Sequence, residues 1–110
     1  MTRPLTVLVT GCSSGIGHCA AHGLRARGHR VFASARRPDD VQRLRTEGLD
    51  AVPLDLDDDA SIAAALDAVL AATGGTLDAL FNNGAYGQPG AVEDLSRAAL
   101  RAQFETNLFG

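Results

Sequence analysis

The sequence predicts a single α/β domain built on a parallel β-sheet, from two observations. Short apolar runs rich in β-branched residues alternate with longer segments of helical periodicity, which is the pattern of repeated βα units. The run Val31-Phe32-Ala33 is continuously apolar, as expected of a strand buried on both faces. We therefore predict the element order βαβαβαβα, with ligands bound beyond the carboxyl ends of the strands.

The first two βα units are predicted within residues 5–48. The first strand runs from Leu5 to Val9 and is followed by a tight glycine-rich turn. A helix from Ile16 to Arg27 comes next, closed by Gly28. Arg30 to Ala35 forms the second strand, and the short helix after it begins near Pro38 and ends at Gly48.

The last two units are predicted in the same way. A brief third strand, Ala51 to Leu54, precedes an acidic cluster that begins a helix, because negative charge is favourable at a helix N-terminus. Two glycines end that helix, and Leu77 to Phe81 forms the fourth strand. Ser96 is the predicted cap of the last helix. The apolar faces of the two helices are predicted to hold Ile62, Leu66, Val69 and Leu70, then Leu100, Phe104 and Leu108.

Composition excludes several classes of function. The 110 residues are 45% hydrophobic with a net charge of -3, so we expect one soluble domain with no internal boundary. Only 5% are aromatic, and no basic stripe with stacking side chains indicates nucleic-acid binding. The N-terminus has no extended apolar segment, so we expect no signal peptide, no membrane association and a cytoplasmic location.

Lysine and cysteine usage narrows the chemistry further. All ten basic residues are Arg, which excludes a Walker-type phosphate loop, a Schiff base and a Tyr–Lys acid–base pair within this chain. Cys12 and Cys19 lie in one short segment, so we expect both thiols to be reduced. Because Cys12 stands near a helix N-terminus, a lowered thiol pKa is a possibility that the sequence leaves open.

The turn Thr10-Gly11-Cys12-Ser13-Ser14-Gly15-Ile16-Gly17 joins the first strand to the first helix. Its glycines allow sharp bends and close approach of a ligand, and a helix N-terminus suits a diphosphate. The same residues also match a Gly-x-Ser-x-Gly nucleophile elbow with Ser13 as the nucleophile. A serine hydrolase is less favoured, because it needs a later histidine and none follows His29.

Four segments together resemble the short-chain dehydrogenase/reductase family. Thr10-Gly11 with Gly15-Ile16-Gly17 looks like the family's glycine signature, and Asp55-Leu56 its adenine-contacting segment. Asn82-Asn83-Gly84-Ala85 resembles its Asn-Asn-Ala-Gly motif, with the last two residues reversed, and Asn107 resembles its helix asparagine. The resemblance implies the N-terminal half of a doubly wound Rossmann sheet with strand order 3-2-1-4.

The resemblance also implies which residues hold a cofactor. By motif position these are Gly11, Ser13, Ser14, Gly15, Ile16, Gly17, Asp55, Leu56, Asn83, Gly84 and Ala85. For Asp55 the plain alternative is a carboxylate at a helix start. Because glycine and alanine are exchanged in the fourth segment, the residue that tolerates positive φ is displaced by one position. The shape of that loop is left open.

The family's catalytic Ser and Tyr-x-x-x-Lys have no counterpart in this chain. The single tyrosine, Tyr86, is followed four residues later by Gly90 instead of Lys. The resemblance makes Asn107 a helper in proton relay, but we expect this residue to fray because it lies near the end of the chain. We therefore expect residues 1–110 to be the cofactor-binding part of a longer enzyme, truncated before the catalytic half, that binds without turnover.

The end of the second strand predicts NADP(H) as the cofactor. An acid here favours NAD by binding the ribose 2′-hydroxyl, but this chain has Ala35 followed by Arg36 and Arg37. Two guanidinium groups suit a 2′-phosphate, although a solvated arginine patch shared with Arg43 and Arg45 is the alternative.

The resemblance thus implies an NADP(H)-dependent oxidoreductase. Its reaction would transfer hydride between the nicotinamide and a small carbonyl or alcohol substrate, and the full enzyme would be a homo-oligomer. A protein that only senses NADP(H) and the hydrolase using Ser13 are the alternatives.

Metal binding is not predicted. His18 and His22 lie one helical turn apart, but no third ligand is evident from the sequence, so we interpret them as a helix-surface pair. The acidic run 55–59 lacks the glycine and glutamate that a calcium loop of the EF-hand type requires.

Overall fold

The computed structural model describes residues 3–110 and contains one four-stranded parallel sheet. Its strands are β1 (Thr6–Val9), β2 (Arg30–Ala35), β3 (Asp50–Pro53) and β4 (Ala79–Phe81). They lie in the order β3-β2-β1-β4, and every neighbouring pair is parallel. The predicted α/β class and strand order are confirmed.

Four α-helices connect and follow the strands. They are α1 (Gly15–Ala26), α2 (Pro38–Thr46), α3 (Asp59–Thr73) and α4 (Arg97–Phe104). A 3-10 turn, Val92–Asp94, precedes α4, and a π-helical turn, Glu105–Phe109, follows it. Ser96 caps α4 as predicted, since its hydroxyl accepts the N–H of Ala99 at 3.0 Å.

The sheet is covered on both faces because successive side chains of a strand point to opposite sides. On one face Val7 and Val9 of β1 pack with residues of α1 and α2, including Ala21 and Leu44. On the other face Leu8 packs with Phe32 of β2, Val52 of β3, Leu54 just after β3, and Ala65 and Val69 of α3. Helices on both faces define the doubly wound arrangement and leave the carboxyl ends of the strands open for a ligand.

Two predicted apolar faces differ from those observed. Leu66 is 41% exposed, because the buried side of α3 is centred on Ala65 and Val69, and the next residue along a helix is rotated by about 100°. In the last segment α4 has no buried residue. Phe104 and Leu108 are exposed there, so this apolar side has no cover among residues 3–110.

The fourth strand begins two residues later than predicted, at Ala79. The preceding Asp78 ties β4 to β1 through both its backbone and its side chain: its N–H donates to the Thr6 carbonyl at 3.0 Å. Its carboxylate accepts the N–H of Thr6 at 2.8 Å and forms a two-bond ion pair with Arg3. These contacts lower the pKa of Asp78 to about 2, chiefly through Arg3 and then through Thr6.

This lowered pKa predicts a pH-dependent contribution to stability. Because the folded pKa lies below the ordinary value of 3.8, the stabilisation is present above about pH 4 and is lost as the pH falls towards 2. Asp78→Asn is therefore expected to lower the urea midpoint at pH 7 and to converge with the unmodified protein near pH 2. Asp67→Asn, which removes an exposed carboxylate of α3, is the control. A midpoint difference that stays constant over this range contradicts the prediction.

Cys12 and Cys19 form no disulfide, in line with the expected reduced thiols. The suggestion of a lowered pKa for Cys12 is wrong. The residue is fully buried, and burial raises its thiol pKa more than hydrogen bonding to the Ser34 backbone lowers it. None of the helices within residues 3–110 is long and apolar enough to cross a membrane.

Candidate functional site

A cleft of about 450 Å³ lies at the carboxyl ends of β1, β2 and β3. This is the edge at which a doubly wound sheet binds ligands. Its walls come from the glycine-rich turn, the end of β2, the β3–α3 connection, the loop after β4 and the π-helical turn. The lining residues are Thr10, Gly11, Ser13, Ser34, Ala35, Arg36, Arg37, Asp40, Leu54, Asp55, Leu56, Asp57, Gly84, Ala85, Tyr86 and Thr106.

The three glycines of the turn have two different roles. Gly11 has φ +68°, and a Cβ there would lie 2.8 Å from the Gly84 Cα. A Cβ on Gly17 would overlap the Gly11 carbonyl oxygen and lie 2.5 Å from the Asn83 Nδ2. Gly15 has φ +63° with no atom within 4 Å of its Cβ position. Gly11 and Gly17 therefore allow close packing of the turn, whereas Gly15 leaves open space at the start of α1.

Thr10 and Asn83 join this turn to the loop after β4. The Thr10 hydroxyl accepts the backbone N–H groups of Asn83 and Gly84 at 3.0 and 2.9 Å. The Asn83 amide donates to the Thr10 and Gly11 carbonyls, both at 3.2 Å. Asn83 thus supports the glycine turn from behind and does not line the cleft.

The reversed Gly84-Ala85 pair does not use positive φ, since neither residue has it. Space favours a small residue at 84: a Cβ there would lie 2.9 Å from the Leu56 Cδ1, the end of a flexible side chain, and 3.3 Å from the Thr10 hydroxyl. The exchange therefore keeps a small residue where three segments meet, and both Gly84 and Ala85 line the cleft.

The end of β2 provides two exposed guanidinium groups. Arg36 and Arg37 line the cleft, and neither forms an ion pair within residues 3–110. Asp40 is the nearby acid, but Arg43 Nη2 lies 3.3 Å from its Oδ1. The cleft therefore offers positive charge beside Ala35.

Ser34 provides an unused hydrogen-bonding group at the same place. Its hydroxyl is buried and has no hydrogen-bond partner among the described residues. Because buried polar groups are nearly always paired, this hydroxyl fits a cleft in which a bound ligand supplies the partner.

Asp55 lies in the wall after β3. Its Oδ1 accepts the N–H of Asp57 at 3.0 Å, whereas the cap of α3 is Asp58, which accepts the N–H groups of Ala60 and Ser61. The alternative of Asp55 as the helix-start carboxylate is therefore wrong. Asp55 and Leu56 both line the cleft.

The π-helical turn closes the far side of the cleft. The Asn107 side chain accepts the N–H of Tyr86 at 3.0 Å and donates to its carbonyl at 2.7 Å. The Thr106 hydroxyl donates to the Asp57 carboxylate. The expectation that Asn107 frays is wrong, because these contacts join its turn to two other loops.

The cleft contains eight of the predicted site residues: Gly11, Ser13, Arg36, Arg37, Asp55, Leu56, Gly84 and Ala85. Outside its lining lie Ser14, Gly15, Ile16, Gly17, Asn83 and Asn107, and Ile16 is 73% exposed. Sequence reasoning missed Ser34, Leu54, Asp57 and Thr106 as wall residues. The signal for Ser34 and Leu54 was available, since both stand at predicted carboxyl ends of strands.

The described histidines are engaged away from Ser13. The Nε2 atoms of His18 and His22 contact the Glu47 carboxylate at 2.6 and 2.8 Å. His29 Nδ1 accepts the N–H of Leu5 at 3.0 Å. No histidine lines the cleft, so the geometry offers Ser13 no base. The expectation that the histidine pair has no third ligand is wrong, because Glu47 comes from the end of a different helix.

Sequence comparison agrees with this architecture. The short chain dehydrogenase family profile matches residues 5–110. The chain is 44% identical over 105 residues to the uncharacterized oxidoreductase YbbO of Escherichia coli, covering 96% of this chain and 39% of that protein. It is 38% identical over 118 residues to retinol dehydrogenase 8 of Bos taurus, covering 97% of this chain and 36% of that protein.

Solved structures show the same fold. A short-chain dehydrogenase from Streptomyces avermitilis superposes with a TM-score of 0.87 at 33% identity, covering 99% of this chain and 41% of that one. An actinorhodin polyketide ketoreductase variant with NADPH superposes with a TM-score of 0.83 at 33% identity, covering 98% of this chain and 44% of that one. The chain thus spans about two fifths of the length of these relatives. From residue 5 to residue 110 it belongs to the short-chain dehydrogenase/reductase family.

Proposed function

We propose that this chain binds NADP(H) in the cleft and forms the cofactor-binding part of an oxidoreductase acting on a carbonyl or alcohol. The observation that carries the proposal is the pair Arg36 and Arg37 beside Ala35 at the end of β2. No carboxylate occupies the position that would bind a ribose 2′-hydroxyl. An NADPH-bound relative with the same fold supports the choice of cofactor.

The remaining residues fit a dinucleotide along the cleft. Gly15 lies outside the cleft lining, two residues after Ser13 of the wall, and the open space at its Cβ position suits a diphosphate at the start of α1. Ser13 and Ser34 offer hydroxyl groups on the way to the 2′-phosphate, and Asp55 offers a carboxylate to the adenine amino group. When bound, NADP(H) supplies the hydride, and this chain's residues bind and orient it.

We expect Arg36→Ala combined with Arg37→Ala to weaken NADPH binding by about 10- to 100-fold, because the two exposed guanidinium groups together are expected to contribute about 1.5–3 kcal/mol through charge-assisted hydrogen bonds to the 2′-phosphate. NADH affinity should stay within about twofold, because NADH has no 2′-phosphate for these groups to bind. Calorimetric titration with each coenzyme measures the ratio of the NADPH and NADH dissociation constants.

Arg101→Ala is the matched control, since it removes an exposed arginine of α4 outside the cleft. Equal affinity of the unmodified protein for the two coenzymes contradicts the NADP(H) preference, as does an unchanged ratio in the double variant. In the complete natural polypeptide, NADPH oxidation with a carbonyl substrate separates an oxidoreductase from a sensor, which would bind without turnover.

A further inference from the structure

A second cluster of chemistry lies away from the cleft, between α1 and the end of α2. His18 and His22 stand one turn apart on α1, so their side chains lie on the same face. Glu47 follows the last residue of α2. One ligand atom from each of the three side chains lies within 4.8 Å of the others.

We propose that His18, His22 and Glu47 form a binding site for a divalent first-row transition ion of the Zn²⁺ type. Two imidazole nitrogens and a carboxylate oxygen are ligands that Zn²⁺ prefers, usually with a fourth position for water. The three side chains are between 26% and 35% exposed, so an ion and its water can reach them.

The distances agree with this assignment. His18 Nε2 lies 2.6 Å and His22 Nε2 lies 2.8 Å from the same Glu47 Oε1. Zn²⁺ binds such ligands at about 2.0–2.2 Å, which places neighbouring ligand atoms of a tetrahedral site about 3.3 Å apart. These two contacts therefore need to lengthen by about 0.5–0.7 Å, and all three ligand atoms already lie within 4.8 Å of one another, so rotations of the partly exposed side chains can form the site.

The groups around the cluster orient the ligands. Arg43 Nη1 lies 3.5 Å from Glu47 Oε2, so the carboxylate is also held at the oxygen that does not make the shorter histidine contacts. The His18 and His22 rings meet edge to face with centroids 4.7 Å apart. A partner that fixes a ligating carboxylate raises its suitability for a metal. Cys19 lies between the two histidines in sequence but is not part of the cluster.

The test is titration of the complete natural polypeptide with Zn²⁺ alone, in competition with a chromophoric chelator. We expect one ion per chain with a Kd of about 10 μM or tighter. His18→Gln, His22→Gln and Glu47→Gln should each weaken binding at least about tenfold. Glu93→Gln, which changes an exposed glutamate elsewhere, and Cys19→Ser should bind as the unmodified protein does.

A second measurement keeps the test decisive if a variant is unstable. Zn²⁺ should raise the Tm of the unmodified protein, since a ligand that binds only the folded state stabilises it. The same ion should leave the Tm of the Glu47→Gln variant unchanged. The proposal is overturned if stoichiometric binding is absent, which would leave the cluster as a carboxylate hydrogen-bonded to two histidines. It is also overturned if Glu47→Gln binds Zn²⁺ as tightly as the unmodified protein, which would show that Glu47 is not a ligand.

Discussion

Gly17→Ala is expected to lower the free energy of unfolding by about 1–3 kcal/mol and to weaken NADP(H) binding more than tenfold. The added methyl group would overlap the Gly11 carbonyl oxygen and lie 2.5 Å from the Asn83 amide nitrogen. Neither neighbour is the far end of a flexible chain, because one is backbone and the other donates two hydrogen bonds. The glycine turn must therefore move, together with the amide groups expected to bind the diphosphate.

Gly23→Ala is the matched control on the same helix. Its Cβ would have no atom within 4 Å, and replacing a glycine inside a helix stabilises by about 0.5–1 kcal/mol. The two substitutions should thus have opposite signs in urea unfolding, and only Gly17→Ala should reduce coenzyme affinity in calorimetry. If both variants are stabilised, or if Gly17→Ala binds NADPH normally, the packing role of Gly17 is wrong.

Thr10→Val is expected to destabilise the protein by about 1–3 kcal/mol, because the Gly84 N–H loses its acceptor and an unsatisfied buried group costs about that much. The Asn83 N–H keeps the Phe81 carbonyl as a second acceptor at 3.0 Å, and Thr10 itself is only 5% exposed. Valine has nearly the same shape as threonine, so the loss of stability measures the contribution of the hydroxyl group. Amide exchange should accelerate in residues 83–85 before it does so in β2.

Thr6→Val serves as the control for Thr10→Val, since Thr6 lies in the same strand and its hydroxyl takes part in no hydrogen bond within residues 3–110. We expect a change within about 0.5 kcal/mol for this substitution. Equal effects of the two threonine substitutions on the urea midpoint contradict the proposed role of the Thr10 hydroxyl.

Much of the fold can be predicted from local sequence patterns. The alternation of apolar runs and helical segments predicted four strands and four helices in the observed order. The second strand, Arg30–Ala35, was predicted at its observed bounds, because the apolar run Val31-Phe32-Ala33 lies between Gly28 and Pro38, two residues that commonly end secondary-structure elements. Errors occur where tertiary contacts outweigh pattern. Leu77 has strand-like sequence, yet the strand begins at Ala79, after Asp78 has bonded both to Thr6 and to Arg3.

In the candidate site, too, features set by neighbouring residues could be predicted, whereas features that depend on long-range contacts could not. Glycine spacing and the arginines after Ala35 could be interpreted from the sequence, since a strand–turn–helix junction and a strand end are local features. Asn83 as the support of the glycine turn, 73 residues from Thr10, required the pairing of β4 with β1. The contact between Asp57 and Thr106, 49 residues apart, could not be predicted from the sequence. It forms only because the π-helical turn at the end of the chain packs against the opposite side of the cleft.

By itself, the sequence determined the α/β class, the glycine turn at the first strand and the charge beside the predicted ribose position. These properties depend on residues close together along the chain, where helix and strand periods govern which side chains share a face. Only the tertiary structure decided that Glu47 contacts His18 and His22, that the buried Ser34 hydroxyl in the cleft wall has no partner among residues 3–110, and that Asn107 hydrogen-bonds to Tyr86. Such contacts join separate elements, and their geometry exists only after the sheet has assembled and its helices have packed.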